Sequence, residues 1–107
     1  MATSNAHVAT ERPARYAKQL VAHMSRRVTG EWDDAAGAGW LSFDAGRATL
    51  HARDGFLDLQ VDGENLAQLE DVVGRHLVRF GARDELVVRW ERDDGTAGTE
   101  QRNDAAD

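Results

Sequence analysis

Two histidines at the edges of apolar stripes are the side chains best suited to chemistry. His23 ends the segment 13–23 and His76 lies within the segment 69–80, and both segments have helical periodicity. Imidazole can bind a metal ion or move a proton near neutral pH. In a partly buried position it also serves simply as a hydrogen-bonding group, and the pattern favours this structural role. We therefore assign no catalytic residue.

Metal and cofactor binding are not predicted. The chain has four histidines and no cysteine, which excludes thiolate metal sites and disulfides. Two histidines without a matching carboxylate or thiolate do not specify a metal. The chain also has no Gly-x-Gly-x-x-Gly turn between a strand and a helix, and no serine in a nucleophile elbow. We expect no cofactor, and no zinc or iron retained by the purified protein.

Basic residues recur at three- and four-residue spacing beside the first histidine. Arg15, Lys18 and Arg26 share one helical face if the helix continues to about Val28. Such a stripe can hold a phosphate, a carboxylate-rich chelator or an acidic protein, or it can simply be solvated. With neighbouring polar side chains, the predicted ligand- or partner-binding residues are Arg15, Tyr16, Lys18, Gln19, His23, Arg26, His76 and Arg79.

The outward face of the predicted sheet is a further candidate surface. Aromatic side chains among arginines suit a partner protein or a second copy of the chain. An ordinary solvated sheet face has a similar composition, so both interpretations stay open. The residues are Trp40, Arg47, Thr49, His51, Arg53, Phe56, Asp58, Val87 and Arg89.

The acidic balance of the chain restricts its partners. The formal net charge is -6, whereas nucleic-acid-binding proteins usually carry a basic surface. No apolar run approaches the roughly 20 residues that span a bilayer. The N-terminus has no charged start followed by an apolar stretch, so no signal peptide is indicated. We expect a cytoplasmic protein that binds neither nucleic acid nor membrane.

The periodicity predicts eight elements in the order β-α-β-β-β-β-α-β. The first helix has Thr10 as its N-cap and runs to about Val28, and the second covers about 64–80 with Asp62 as its cap. The strands between the helices alternate apolar and polar residues, which is typical of an antiparallel sheet with one buried face. This order implies an α+β, two-layer sandwich with a mostly antiparallel sheet and both helices on one face.

One domain is expected to cover residues 6–92. We expect residues 1–5 to be disordered. The same is expected of the acidic tail 93–107, because it has no large apolar residue to offset the entropy of ordering. Gly74 interrupts the second helix at a cost of about 1 kcal/mol relative to alanine, which indicates close packing against a neighbour.

Two motifs carry a resemblance to a known family. They are an Arg-Tyr-x-Lys-Gln-Leu run that begins at Arg15 and a His-Leu-x-Arg-Phe run that begins at His76. The chain resembles family 2218 of the bacterial domains of unknown function, whose relatives often carry histidine and lysine at the positions of Arg26 and Arg27. The resemblance implies no established activity and no catalytic residue. It does imply an association with siderophore-interacting flavoprotein reductases, which some relatives neighbour or are fused to.

The predicted function is that of an accessory binding module for an anionic ligand or a partner protein, linked through the family to siderophore-iron handling. Two alternatives stay open. One is a small enzyme or metal-dependent protein that uses His23 and His76, and the other is a structural module that forms a homodimer. The sequence identifies neither the ligand nor the oligomeric state, and it leaves open whether the two histidines touch.

Overall fold

The computed structural model describes residues 2–81 and 85–102. Its elements are β1 (Ala2–Ala9), α1 (Pro13–Met24), β2 (Thr29–Asp33), β3 (Ala38–Phe43), β4 (Gly46–Arg53), β5 (Phe56–Gly63), α2 (Leu66–Phe80), β6 (Val87–Arg92) and β7 (Ala97–Arg102). The strands form one antiparallel sheet in the order β2-β3-β4-β5-β1-β6-β7. Both helices pack on the same face of it. The predicted α+β, two-layer sandwich is confirmed.

Alternation along the strands produces the buried face of the sheet, as predicted. Leu41, Leu50 and Leu57 are fully buried in the same core cluster as Leu20 of α1 and Leu77 of α2. Burying one such side chain contributes about 1.5–3 kcal/mol. The apolar stripes therefore hold both helices against the sheet.

Strand β1 begins earlier than the predicted domain. Ala2 pairs with Gly63, and Ser4 pairs with Val61 and is fully buried. The prediction of disorder for residues 1–5 is therefore wrong for positions 2–5. The remaining residue of that segment, Met1, lies outside the described part of the chain.

Strand β7 lies in the segment predicted to be a disordered tail. It pairs with β6 and contacts α2. Its buried and half-buried side chains, Gln101 and Thr99, are polar and are held by hydrogen bonds to buried partners. The prediction of disorder is wrong for residues 93–102, and residues 103–107 lie outside the described ranges.

Helix α1 is shorter than its periodicity predicts. Its N-cap is Arg12 rather than Thr10, because the helix begins only at Pro13. The Thr10 hydroxyl still accepts a hydrogen bond from the backbone N–H of Arg12 at 3.1 Å, which supports the turn that leads into the helix. The helix ends at Met24 rather than near Val28. The last predicted turn, which contains Arg26, therefore lies outside the helix.

Helix α2 starts after a different cap from the one predicted. Asn65 is the N-cap, and its Oδ1 accepts a hydrogen bond from Gln68 N at 3.2 Å. Asp62 still belongs to β5, where its Oδ1 accepts from Thr3 Oγ1 of the neighbouring strand at 2.5 Å. The strand has to end before the helix can begin, which moves the cap three residues along the chain.

Gly74 lies where α2 packs against β7. A Cβ at this position would be 2.0 Å from Oε1 of Gln101 and 2.7 Å from its Cδ. The Gln101 side chain is fixed, because its Oε1 accepts a hydrogen bond from Trp90 Nε1 at 2.6 Å. The predicted close packing at Gly74 is confirmed, and the neighbour is a side chain of β7.

Gly74→Ala is expected to lower the free energy of unfolding by about 1–3 kcal/mol, although alanine is the better helix former by about 1 kcal/mol. The added methyl group must displace Gln101 and break its bond to Trp90. Urea denaturation measures the change. In a Gln101→Ala background the same substitution is expected to be neutral or stabilising, and a loss of stability there would contradict this steric cause.

Candidate functional site

A groove opens where the end of α1, the start of β2, the β3–β4 turn and the first half of α2 meet. Its volume is about 1030 Å³, at the upper end of the range of about 300–1,000 Å³ for small-molecule sites. Its wall combines basic, hydroxyl, amide and apolar groups. The lining residues are Ser25, Arg26, Arg27, Val28, Thr29, Gly30, Ser42, Phe43, Asp44, Ala45, Gln68, Leu69 and Val72.

The turn after α1 places two arginines at this groove. The backbone N–H groups of Arg27 and Val28 both donate to Met24 O at 3.0 Å, so the chain leaves the helix in a tight turn. Val28 then packs, half-buried, against the core. The turn leaves Arg26 and Arg27 exposed at the groove wall.

Arg26 and Arg27 supply the positive charge of the groove wall. Within the described part of the chain, neither guanidinium forms an ion pair. Asp44 is the acidic residue of the groove lining. A guanidinium presents a planar fork of donors that matches a carboxylate or a phosphate. Neutral hydrogen-bonding groups in the same wall belong to Ser25, Thr29, Ser42 and Gln68.

The structure brings the two predicted histidines together between α1 and α2. The ring centroids of His23 and His76 are 5.3 Å apart, with the ring planes inclined by 41°, and Phe80 contacts the His23 ring edge-on at 5.4 Å. His76 Nδ1 lies 2.7 Å from Val72 O. A carbonyl only accepts, so Nδ1 donates and Nε2 is left as the free nitrogen. Val72 also lines the groove, one helical turn from the pair.

The sequence predicts that both histidines are partly buried and hydrogen-bonded, and the structure agrees for only one of them. His76 fits, because it is half-buried and bonded to the backbone. His23 is exposed, and its ring contacts the rings of His76 and Phe80. Among the described residues, no group of three or more histidine, aspartate or glutamate side chains is placed to hold a metal ion. Within those described residues, the histidine pair therefore offers a metal ion two protein ligands.

The predicted basic stripe does not form one surface. Arg26 lies beyond the end of α1 and lines the groove, which Arg15 and Lys18 do not. Lys18 Nζ lies 3.6 Å from Asp34 Oδ2, an exposed ion pair. The prediction of a three-residue stripe on one helical face is wrong. The basic pair that the structure forms is Arg26 with Arg27, and Arg27 was not among the predicted site residues.

Three other predicted site residues lie apart from the groove wall. Tyr16 belongs to the core and is 6% exposed. Gln19 on α1 and Arg79 in the last turn of α2 are both exposed. None of the three lines the groove.

Two arginines on the outer face of the sheet are already paired with carboxylates, and a third, Arg47, lies over the ring of Trp40 at 4.9 Å from its centroid. Arg53 Nε donates to Asp58 Oδ2 at 3.3 Å, and Arg89 Nε donates to Glu100 Oε1 at 3.0 Å. Among the described residues, Val87 is the one large apolar residue that is exposed, at 36%. Because Arg53 and Arg89 already bind carboxylates, this face is less suited to holding an anion than the groove.

A buried ion pair joins α2 to β6 and β7, and sequence reasoning missed it. Glu70 is fully buried, and its carboxylate accepts from Arg92 Nε at 3.0 Å and Nη2 at 2.9 Å. Thr99 adds bonds from its N–H at 3.2 Å and its hydroxyl at 2.9 Å. Its spacing in the sequence could have indicated burial, because Glu70 precedes Gly74 by four residues and Leu77 by seven and so lies on the buried stripe of α2.

The environment of Glu70 keeps this carboxyl ionised. Burial alone raises its pKa, but the hydrogen bonds from Arg92, Ser4 and Thr99 together outweigh burial, so the pKa lies below its ordinary value. A carboxylate with a lowered pKa and filled acceptor positions is a poor proton acceptor. Glu70 therefore stabilises the fold rather than acting as a general base.

The fold and the groove define the class: an α+β sandwich domain with a polar groove between the ends of its helices and one edge of its sheet. Residues 5–91 match the family described as an uncharacterized protein conserved in bacteria (DUF2218). This match covers most of the chain, so the chain belongs to that family and the resemblance seen in its motifs is confirmed.

A solved structure has a similar fold. The NMR structure of PA4090 from Pseudomonas aeruginosa is 25% identical, with a TM-score of 0.71 over 92% of this chain and 100% of that chain. No curated protein shows significant similarity to the chain. Neither helix in the described ranges has the length and apolar character needed to cross a bilayer.

Proposed function

We propose that the domain is a binding module for a compact anionic ligand, which Arg26 and Arg27 hold in the groove. One observation carries this proposal: two adjacent, exposed guanidinium groups line a groove of about 1030 Å³ and have no ion-pair partner in the described part of the chain. Arg53 and Arg89 already bind carboxylates. Other arginines without an ion pair among the described residues do not line this groove; they are Arg12, Arg15, Arg47 and Arg79. An unpaired cationic pair gains most from an added anion.

The groove lining favours a polycarboxylate or a phosphate with a hydrocarbon part. Each charge-assisted hydrogen bond contributes about 1.5–3 kcal/mol, so a ligand with two acidic groups uses both arginines. Phe43 and Leu69 supply apolar wall, while Asp44 disfavours negative charge at the β3–β4 turn. The association with siderophore reductases that the family resemblance implies makes a carboxylate-type siderophore one ligand to test.

Arg26→Ala combined with Arg27→Ala is expected to weaken anion binding at least about tenfold, which corresponds to about 1.4 kcal/mol. The reason is that both charge-assisted contacts are lost while the fold is kept, since both side chains are exposed. Isothermal titration calorimetry measures the affinity for citrate, pyrophosphate and a carboxylate siderophore. Binding should weaken as salt is added, because the charges are at the surface.

The matched control is Arg15→Ala combined with Lys18→Ala. It also removes two exposed positive charges, but from a part of α1 that does not line the groove. Its anion affinity is expected to stay within about twofold of the wild-type value. An equal loss of anion affinity in both double variants would show that the anion binds elsewhere, or that the affinity depends only on the net charge of the protein. The absence of binding by any of the three anions to the wild type would overturn the proposal.

A further inference from the structure

We propose that His23 and His76 form a binding site for a zinc-like divalent transition-metal ion, with one imidazole supplied by each helix. The inference does not depend on the anion groove. It rests on two imidazoles from different helices in ring contact, one of them oriented by a bond to the backbone. Neutral imidazole nitrogen is a preferred ligand of Zn²⁺ and of its neighbours in the transition series.

The spacing of the rings fits a shared ion. Two imidazoles bound to one tetrahedral Zn²⁺ at about 2.0–2.1 Å per Zn–N bond have ring centroids about 5 Å apart. The centroids of His23 and His76 are 5.3 Å apart. The spacing of the two rings therefore matches that of two imidazoles that share an ion.

The hydrogen bond at His76 prepares this side chain for a metal. Nδ1 donates to Val72 O at 2.7 Å, so the lone pair is on Nε2. Metal-bound histidines characteristically donate their other ring nitrogen to a carbonyl or carboxylate, which fixes the tautomer and the ring orientation. His23 is exposed and can adjust its ring to share the ion.

The site offers an ion two protein ligands and leaves the other coordination positions to water or to an added anion. In the part of the chain that the structure describes, no further histidine or carboxylate is placed to complete a set of three. A site of this kind binds metal weakly and exchanges it readily. It therefore agrees with the expectation that no zinc or iron is retained through purification.

Zinc titration followed by calorimetry tests the site. Competing zinc ligands are few, because the chain has no cysteine and only four histidines. The wild type is expected to bind one Zn²⁺, and His23→Ala or His76→Ala should each lower the affinity at least about tenfold.

His7 and His51 provide the comparison. Both are exposed, and both lie opposite Asp58 on neighbouring strands of the outer sheet face. His7→Ala and His51→Ala are expected to leave the zinc affinity within about twofold of the wild-type value. Thermal melting of every variant shows whether it is folded.

Nitrogen-15 NMR of the histidine rings provides a readout on the unsubstituted protein. Before zinc is added, His76 should show the Nδ1-protonated tautomer. On titration, the ring signals of His23 and His76 should shift together. The proposal is overturned by the absence of saturable binding, by shifts at His7 and His51 instead, or by a dependence on only one histidine of the pair.

Discussion

A chain that ends at Gly95, before β7, is expected to lose about 5 kcal/mol or more of its free energy of unfolding. Without β7, Glu70 loses both hydrogen bonds from Thr99, and Trp90 loses its acceptor on Gln101. Each buried polar group left unsatisfied costs about 1–3 kcal/mol, and the removal of β7 also uncovers apolar surface. The expected loss is comparable to the whole stability of many small domains, which is about 5–15 kcal/mol.

Urea denaturation of this shortened chain, compared with a chain that ends at Arg102, measures the effect. The reference keeps all of β7. Cooperative unfolding of the shortened chain within about 1 kcal/mol of the reference would contradict the structural role given to β7.

Glu70→Ala is expected to lower the free energy of unfolding by about 3 kcal/mol, because it removes a fully buried carboxylate and leaves the half-buried guanidinium of Arg92 without its partner. The side chain of Arg92 is 17% exposed and that of Glu70 is 0% exposed, so solvent does not replace the lost partner well. Replacing both residues together, as in Glu70→Met with Arg92→Leu, should restore much of the loss.

Asp71→Ala is the matched control for this substitution. Asp71 is the next residue along α2 and forms an exposed ion pair with Arg75, one turn further on, at 2.7 Å. Exposed pairs at this spacing contribute about 0.3–0.5 kcal/mol. If Asp71→Ala lowers the free energy of unfolding as much as Glu70→Ala does, the stabilisation cannot come from the burial of the Glu70–Arg92 pair.

The Glu70 carboxylate also makes stability depend on pH in a defined direction. Its folded pKa is below its ordinary value, so its contribution is present above about pH 4.5 and is lost as the pH falls through the folded pKa. The stability difference between the wild type and Glu70→Gln should therefore narrow in acid. Hydrogen bonds from Thr96 lower the pKa of Asp94, and a hydrogen bond from Arg89 lowers the pKa of Glu100. Both carboxylates are present in the wild type and in Glu70→Gln, so their effects cancel in the stability difference.

Apolar alternation was sufficient to predict the central part of the fold. In β4 and β5 the burial pattern alternates as the sequence predicts, with Ala48, Leu50, Leu57, Leu59 and Val61 buried. In β3 the alternation is weaker, because only Leu41 is buried. β7 could not be found in this way, because its sequence Ala-Gly-Thr-Glu-Gln-Arg has no large apolar residue. Its place is fixed by the polar pairs Thr99–Glu70 and Gln101–Trp90, which join residues far apart in the chain.

The candidate site depends on details that periodicity does not determine. Leu20, Met24 and Val28 recur at helical spacing, yet the helix ends at Met24 and Val28 packs against the core from the following turn. That change of four residues moves Arg26 from a helical face to the groove. The contact between the two histidines likewise depends on how α1 crosses α2, which no local pattern specifies.

The claim that an anion binds in the groove is tested most directly by two-dimensional ¹H–¹⁵N NMR during titration with citrate. We expect the largest amide shifts in residues 25–30, 42–45 and 68–72, and we expect them to disappear in the Arg26→Ala, Arg27→Ala double variant. Shifts centred on residues 15–19 of α1 or on the outer sheet face, or no saturable shift at all, would contradict it.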